Sequence, residues 1–458
     1  MKIYFFGGSQ EVTGSNYLLE SKSGSKTTKV LIDCGLFQGS KVGEEKNNDP
    51  FPYKPSEIDG VIVTHAHLDH IGRIPKLVKD GFKGKIFSTA PTKDFAKLML
   101  IDSIGVLSKE AKKNGRGGPI YEEADVAKSM LLWEAVNYHQ DTALENLNIT
   151  LKDAGHILGS AFVEIKENKG QSKKLVFSGD LGNSPEPLLN PTETVSDASF
   201  MVVESTYGDR LHGDSSELDI KVERMIEDTV KNGGVLMIPA FSLERTQRIL
   251  YQINNLVENG RIPRIKIFLD SPLSIQATAV YKKYLNYYND EARNTVLKGD
   301  DLFNFPGLEQ TMLTEDSKKI FDIPAPKVII AGAGMCNGGR ILHHLKNYLG
   351  SSKNTLMLVS YQAPGSLGRI IQDGARVVTL MGEKVAVEAK IDKMNGYSSH
   401  ADLNGLLHFV NQSADTLEKV FISHGELKAS LFLTQRIRDY IGVDALPPKY
   451  GDSYEIAL

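Results

Sequence analysis

The sequence has little cysteine and no long apolar run. Cys34 and Cys336 are the only two cysteines among 458 residues, too few for a disulfide framework and typical of a reducing compartment. No run approaches the roughly eighteen apolar residues that a membrane-spanning helix needs. The opening stretch Met1–Gly8 turns polar too soon for a signal peptide. We therefore expect a cytoplasmic protein with no membrane partner.

The sequence also lacks a dominant charge of one sign. Its 53 Lys and Arg residues nearly balance 57 Asp and Glu residues, and the formal net charge is −4. This balance does not exclude nucleic acid as a partner, because a binding groove can be basic in a chain that is acidic overall. The length allows two or three domains, each with its own core.

The order of predicted elements divides the chain into three parts. The first third contains short β-branched strands and two predicted helices, Thr92–Lys113 and Glu122–Asn137, which favours two packed sheets flanked by helices. From Gly208 to about Lys390, strands alternate with helices such as Ser274–Tyr288, a pattern typical of a mostly parallel sheet. A predicted strand Lys390–Met394 opens the tail. We therefore predict an α/β protein whose core comprises residues 1–207 and 391–458, with a second domain inserted at 208–390.

Three histidines and a carboxylate lie within six residues, His65-Ala-His67-Leu-Asp69-His70, directly after the apolar run Gly60–Thr64. A strand that ends in a tight turn points alternate side chains into one pocket, so His65 and His67 can share one ion. Asp69 and His70 can serve a second ion. A single histidine is more often a core or surface residue than a ligand. Four ligand-type residues at this spacing nevertheless favour two adjacent metals.

Three further candidates, His156, Asp180 and His424, follow predicted strands in glycine-containing turns. Each alone could merely stabilise a turn. Together they complete a set of five histidines and two aspartates, enough for two ions with an open position for water. Asp180 has two oxygens and can bridge neighbouring cations. Nitrogen and carboxylate ligands without thiolate favour two Zn²⁺ ions, with Mn²⁺ or Fe²⁺ as alternatives.

Asp33 ends the apolar stretch Val30–Asp33. We expect its carboxylate to accept the ring N–H of a ligand histidine, which would fix that ring's tautomer and orientation. The neighbouring Cys34 belongs to no Cys-x-x-Cys motif and is predicted to pack in the core.

Asp33, His65–His70, His156 and Asp180, in this order, resemble the four N-terminal motifs of the metallo-β-lactamase fold. Further resemblances are to motifs A, B and C of the β-CASP nucleases, in Val203–Asp209, Gly396–Asp402 and Phe421–Glu426. Within that family the sequence is most similar to prokaryotic relatives of the nuclease subunit of cleavage and polyadenylation specificity factor. The resemblance implies a metallo-β-lactamase αββα sandwich with an inserted α/β β-CASP cap domain of mostly parallel sheet.

The same resemblance implies a metal-dependent ribonuclease of RNA processing or decay, acting on single-stranded RNA, with Asp33 at its catalytic centre. It makes His400 the general acid that protonates the leaving oxygen, and Glu204 the carboxylate that orients His400. A histidine at motif C, here His424, is typical of the RNA-processing branch. Three alternatives stay open: a metallo-hydrolase of a small substrate, a DNA nuclease and a scaffold subunit. A homodimer also stays open, because the predicted helix Leu427–Tyr440 could be core or interface.

Two segments and two arginines are candidate contacts to the RNA backbone. Gly334 lies in a glycine-rich stretch between a predicted strand and helix, where backbone N–H groups could hold a phosphate. These glycines could equally serve only to permit close packing. The segment Ser360–Arg369 is similar to another family segment, so Ser360 and Arg369 are predicted to contact the substrate. Arg245 is a further predicted phosphate contact.

Overall fold

The computed structural model describes residues 1–39, 41–168, 173–213, 217–394 and 396–458. They form two compact units, of which the first comprises residues 1–211 and 399–458 and the second comprises residues 212–398. None of the helices in these described ranges has the length and hydropathy that a bilayer crossing requires.

Among its described residues, the first unit begins with eleven strands and five α-helices. In chain order they are β1 (Lys2–Phe5), β2 (Tyr17–Ser23), β3 (Lys26–Ile32), α1 (Lys41–Lys46), β4 (Gly60–Ile62), α2 (Leu68–Ile71), α3 (Ile74–Lys79), β5 (Lys85–Ser88), α4 (Ala90–Lys113), α5 (Glu123–Leu132), β6 (Trp133–Ala135), β7 (Thr142–Leu144), β8 (Leu147–Asp153), β9 (Ala161–Glu167), β10 (Leu175–Phe177) and β11 (Phe200–Glu204).

The second unit alternates helices and strands. Its elements are α6 (Leu218–Asn232), β12 (Val235–Pro239), α7 (Arg245–Glu258), β13 (Lys266–Leu269), α8 (Pro272–Lys283), α9 (Asp290–Leu297), β14 (Leu308–Gln310), α10 (Thr314–Lys319), β15 (Lys327–Ala331), α11 (Ile341–Tyr348), β16 (Thr355–Leu358), α12 (Leu367–Gln372), β17 (Val377–Leu380), β18 (Glu383–Ala386) and β19 (Lys390–Lys393). Six of these strands form one sheet in the order β14-β13-β15-β12-β16-β19, and every pairing in it is parallel. The mostly parallel sheet predicted for the insertion is confirmed.

The chain then returns to the first unit through α13 (Leu403–Asn411), β20 (Lys419–Ser423), α14 (Leu427–Tyr440), β21 (Ala445–Leu446) and β22 (Ser453–Glu455). Two seven-stranded sheets result, ordered β22-β1-β2-β3-β4-β5-β6 and β21-β20-β11-β10-β9-β8-β7. The last strand pairs antiparallel with the first. This is the sheet-on-sheet arrangement that the sequence predicts.

Alternating side chains explain why the two sheets pack face to face. Ile3 and Phe5 of β1 point inward and are fully buried, whereas their neighbours Lys2 and Tyr4 point outward. Inward residues of both sheets, such as Val163 and Phe177 of the second, form one apolar cluster. The outer face of the second sheet packs its own apolar cluster against α13 and α14.

A buried charge network joins elements of the second unit. The fully buried Asp270, directly after β13, accepts hydrogen bonds from Arg340 Nη1, His344 Nε2 and Thr311 Oγ1, each at 2.7 Å. Ser317 Oγ donates a fourth at 2.8 Å. A buried carboxylate persists because its lone pairs are satisfied in this way.

The structure corrects three sequence-based boundaries. The helix predicted over Glu122–Asn137 ends at Leu132, because Trp133–Ala135 pairs with β5 as a parallel strand. The helix predicted over Ser274–Tyr288 ends at Lys283 and is followed by a short 3₁₀ turn, Leu285–Tyr287. The insertion extends to Ser398 rather than about 390, because Lys390–Lys393 joins the parallel sheet beside β16.

Candidate metal centre

The predicted ligands collect at one edge of the sandwich because they all follow strands. His65 lies just after β4, His156 after β8, Asp180 after β10 and His424 directly after β20. The last three of these strands run in the same direction in the second sheet. The segment that follows β4 of the first sheet reaches the same edge, because His65 Nε2 lies 3.4 Å from Asp180 Oδ2. The carboxyl ends of these strands therefore meet at one edge, where side chains of different sheets can converge.

The first group contains His65, His67, His156 and Asp180. His67 Nδ1 lies 3.0 Å from His65 Nε2 and 3.3 Å from His156 Nε2. One carboxylate oxygen, Asp180 Oδ2, lies 3.4 Å from His65 Nε2 and 3.6 Å from His156 Nε2. Three imidazole nitrogens and one carboxylate oxygen thus face one point.

The second group contains Asp69, His70 and His424. The other oxygen of Asp180, Oδ1, faces this group at 3.3 Å from His70 Nε2 and 3.5 Å from His424 Nε2. Asp69 Oδ2 lies 3.7 Å from His424 Nε2. Asp180 therefore offers one oxygen to each group, and the structure brings all seven predicted ligands together.

The electrostatics of the first group suit a cation. Burial lowers the pKa of His65 and of His156 well below the usual histidine value and also lowers the pKa of His67. The lowered pKa values favour the neutral rings, which is the form that binds metals. At Asp180, burial raises the pKa, but the adjacent histidines outweigh it and hold the pKa well below the usual value.

Each candidate ligand histidine other than His67 is held through its Nδ1 atom. Asp33 Oδ2 accepts from His70 Nδ1 at 2.7 Å, the role predicted for that carboxylate. Ser15 Oγ lies 2.8 Å from His424 Nδ1, and Ser399 O lies 3.1 Å from His156 Nδ1. Thr64 Oγ1 lies 3.1 Å from His65 Nδ1. Such contacts leave Nε2 of each ring free to bind an ion.

The sequence analysis predicted the role of Asp33 but missed the three other supporting residues, Ser15, Thr64 and Ser399. Ser15 lies 409 positions before His424, and the Ser399 contact uses a backbone carbonyl, so neither leaves a local pattern. Thr64 carries a weak signal, because it directly precedes the first histidine of the motif. Its backbone N–H and its hydroxyl donate to the two oxygens of Asp33, both at 2.8 Å.

The donor set fits divalent metal ions. In the described part of the chain, His70 Nε2 and Asp180 Oδ1 are buried without any hydrogen-bond partner, which is costly unless a cation accepts their lone pairs. The ligand atoms within each group lie within 4.8 Å of one another. Nitrogen and carboxylate donors without sulfur match zinc, manganese or iron.

His400 and Glu204 lie beside these groups. Glu204 is the last residue of β11, and its Oε1 lies 3.3 Å from His400 Nδ1. The same oxygen accepts from Leu181 N at 2.7 Å, which fixes the carboxylate. Burial lowers the pKa of His400, but the charges of Glu204 and Asp180 outweigh it and raise the pKa to about 9.

The predicted substrate contacts have mixed surroundings. Arg369 Nε donates to both oxygens of Asp373 at 2.9 and 2.8 Å, an ordinary surface pair one helical turn apart. A Cβ added at Gly334 would lie 3.0 Å from Phe241 N, which favours the packing explanation for that glycine. Ser360 Oγ is buried, and Arg245 is almost fully buried. Their contact with RNA stays a prediction.

Three parts of the chain match known domain families. Residues 24–206 match the Metallo-beta-lactamase superfamily domain, residues 246–371 match the Beta-Casp domain, and residues 384–448 match the Zn-dependent metallo-hydrolase RNA specificity domain. A solved structure of a protein of unknown function from Enterococcus faecalis shares the fold, with a TM-score of 0.56, 11% identity and 99% of each chain covered.

Similar curated proteins span nearly the whole chain. It is 36% identical to Ribonuclease TTHA0252 of Thermus thermophilus, over 94% of this chain and 95% of that protein. It is 32% identical to an RNase J-like protein of Methanocaldococcus jannaschii, over 98% of each. It is 31% identical to Transcription termination factor FttA of Methanosarcina mazei, over 95% of this chain and 69% of that protein. The chain therefore belongs to the β-CASP family of the metallo-β-lactamase superfamily, among prokaryotic relatives of the cleavage and polyadenylation specificity factor nuclease.

Proposed function

We propose that this protein is a metal-dependent ribonuclease that hydrolyses phosphodiester bonds of single-stranded RNA in the cytoplasm, in RNA processing or decay. The observation that carries the proposal is that two candidate ligand groups share Asp180 and lie beside the His400–Glu204 pair. The similarity to proteins named ribonuclease and RNase J-like supports the same activity.

Two Zn²⁺ ions, with Mn²⁺ or Fe²⁺ as alternatives, fit the two groups of ligands. His65, His67 and His156 would hold the first, Asp69, His70 and His424 the second, and Asp180 would contribute to both. Bound ions of this kind lower the pKa of a water molecule and stabilise negative charge on phosphate oxygens.

The chain's own residues supply positioning and a proton. Asp33 holds His70 in place, and Thr64 holds Asp33. Glu204 faces His400 Nδ1 and favours the protonated ring. His400 Nε2 can then donate a proton to the oxygen that leaves phosphorus, the task of a general acid. Because one oxygen of Glu204 faces His400 Nδ1 and its two oxygens accept from the backbone N–H groups of Leu181 and Thr206, it positions the acid rather than acting on substrate.

The test compares cleavage of end-labelled single-stranded RNA and matched DNA, with and without a chelator. The wild-type protein should cut RNA, lose activity with chelator and regain it with zinc. His400→Ala should slow turnover by about 10²–10⁴-fold, the usual contribution of a positioned general acid, while its metal content stays unchanged. His408→Ala is a matched control, since the exposed His408 lies on α13 and its Nε2 pairs with Gln412 Nε2.

The alternatives give different outcomes. Equal cleavage of RNA and DNA would remove the specificity for RNA and favour a general nuclease. Cleavage of neither polymer, in a protein that binds metal, would favour a small-substrate hydrolase or a scaffold subunit. Sedimentation of the same sample would decide whether the protein is a homodimer.

A further inference from the structure

Two arginines of the inserted unit lie over one buried tyrosine. The guanidinium carbon of Arg245 is 5.7 Å from the ring centre of Tyr397, and that of Arg248 is 5.0 Å from it. The tyrosine hydroxyl donates to Gln252 Oε1, so the ring is fixed from its far end. Arg245 stands at the first position of α7, where the helix dipole favours an anion.

Arg245 is buried but short of acceptors. Only 7% of it is exposed, and within the described residues its Nε and Nη1 have no hydrogen-bond partner. Glu244 Oε2 lies 3.6 Å from Arg245 Nη2, too far for a hydrogen bond. A guanidinium stays protonated in a protein, so its unsatisfied buried N–H groups lower the stability of the folded chain.

Arg340, a partly buried arginine of the same unit, has its guanidinium donors satisfied by neighbouring acceptors. Arg340 donates to the Asp270 carboxylate and to the carbonyl oxygens of Thr311 and Met312, at 2.7 to 2.9 Å. Its charge and its N–H groups are therefore satisfied by the protein itself. Unlike Arg340, Arg245 has donors without acceptors among the described residues, which indicates that a bound ligand supplies the acceptor.

We infer that Arg245, with Arg248 and Tyr397, forms a subsite in the inserted unit for a phosphate group of the bound RNA strand, an inference that rests on the proposed ribonuclease function. Glu244 is a buried carboxylate beside Arg245, but its Oε2 lies 3.6 Å from Arg245 Nη2. The nearby Asp219 is exposed, and its carboxylate accepts from Gln252 Nε2 instead. The planar guanidinium presents paired donors that match the oxygens of a phosphate.

The competing explanation is that Arg245 only anchors Tyr397 through its cation–π contact. The two roles differ in what Arg245→Met does to stability. If the arginine is a structural anchor, the variant should melt at a lower temperature. If it is an unsatisfied charge awaiting phosphate, the methionine retains the packing stem and the melting temperature should stay the same or rise.

The binding experiment uses fluorescein-labelled single-stranded RNA, the His400→Ala background and a series of salt concentrations. Arg245→Met should weaken binding by about 10- to 100-fold, the value of a charge-assisted hydrogen-bonded contact. The slope of log affinity against log salt should fall by about 0.7, as for one lost phosphate contact on a single strand. Glu244→Gln, which removes the competing carboxylate, should tighten binding and steepen the slope.

Arg293→Met is the matched control for charge. Arg293 lies in the same unit, but its side chain is 43% exposed and pairs with Asp290 on its own helix, so its loss should leave affinity and slope unchanged. A comparison of RNA carrying a 5′-phosphate with RNA carrying a 5′-hydroxyl shows whether the subsite binds the terminal phosphate or an internal phosphodiester. An equal effect of Arg245→Met on both assigns an internal phosphodiester, and an effect confined to the 5′-phosphate form assigns the terminal group.

Unchanged affinity and salt slope in Arg245→Met would overturn the subsite, as would a lower melting temperature with normal RNA binding. Failure of the ribonuclease proposal looks different. In that case the wild type would not bind or cut RNA, whereas inorganic phosphate would still raise its melting temperature and not that of Arg245→Met.

Discussion

Removal of the Ser15 hydroxyl should weaken zinc binding in the second ligand group and leave zinc binding in the first group unchanged. Ser15 is fully buried, and its Oγ lies 2.8 Å from His424 Nδ1. Ser15→Ala would leave that ring N–H buried without an acceptor, at a cost of about 1–3 kcal/mol. His424 belongs only to the second group, so the cost falls on the ion held there. We expect zinc affinity at that position to fall by about 10- to 100-fold, the usual effect of losing such a supporting contact.

The assay is zinc content measured across zinc-buffered solutions, with RNA cleavage followed in the same samples. Ser15→Ala should retain one tightly held zinc and release the other at higher free-zinc levels, and excess zinc should restore cleavage. Ser103→Ala is the control, because Ser103 is an equally buried serine in α4 that pairs with Tyr121, 2.6 Å away. Equal zinc affinity for both ions in Ser15→Ala, or their simultaneous loss, would refute the division into two groups linked by Asp180.

Three further predictions concern charge and metal. Glu204→Gln should lower the pKa of His400 from about 9 toward the ordinary histidine value and slow single-turnover cleavage, by no more than the roughly 10²–10⁴-fold that a general acid contributes, while the zinc content stays constant. Removal of metal with a chelator should lower the melting temperature of the wild type, and zinc should restore it, because ions that bind only the folded chain stabilise it; an unchanged melting temperature would contradict the assigned ligand groups. At Asp270, burial raises the pKa, but hydrogen bonds led by that from His344 outweigh it and lower the pKa from 3.8 to about 2. The network therefore stabilises the fold above about pH 4 by about 2 kcal/mol and loses this contribution as the pH falls toward 2, so urea titrations should show a weaker acid dependence in Asp270→Asn than in wild type.

Local patterns made the candidate ligands predictable from sequence. His65, His67, Asp69 and His70 lie within one turn after an apolar strand, and glycines mark the turns that carry His156 and Asp180. Strand periodicity likewise predicted the two packed sheets of the first unit, and strand–helix alternation predicted the parallel sheet of the insertion. These features are encoded by residues close together in the chain, so they leave a readable signal.

The missed features depend on distant partners. Lys390–Lys393 is a plausible strand for either unit, and only its parallel pairing with β16 assigns it to the insertion. Trp133–Ala135 continues a helical pattern, and pairing with β5 makes it a strand instead. The lack of acceptors for Arg245 Nε and Nη1 within the described residues could not be predicted from sequence, because it depends on all the residues that pack around the side chain.

The insertion between β11 and α13 has a consequence for the timing of activity during synthesis. Glu204 and His400 are 196 positions apart, and His424 follows later still. A ribosome adds about 5–20 residues per second. The nascent chain therefore contains His65, His67 and His70 well before His400, the proposed proton donor, and His424, the last proposed ligand, are synthesised. Until β20 pairs with β11, the growing polypeptide holds an incomplete centre. We expect it to be harmless to the messenger RNA from which it is being translated.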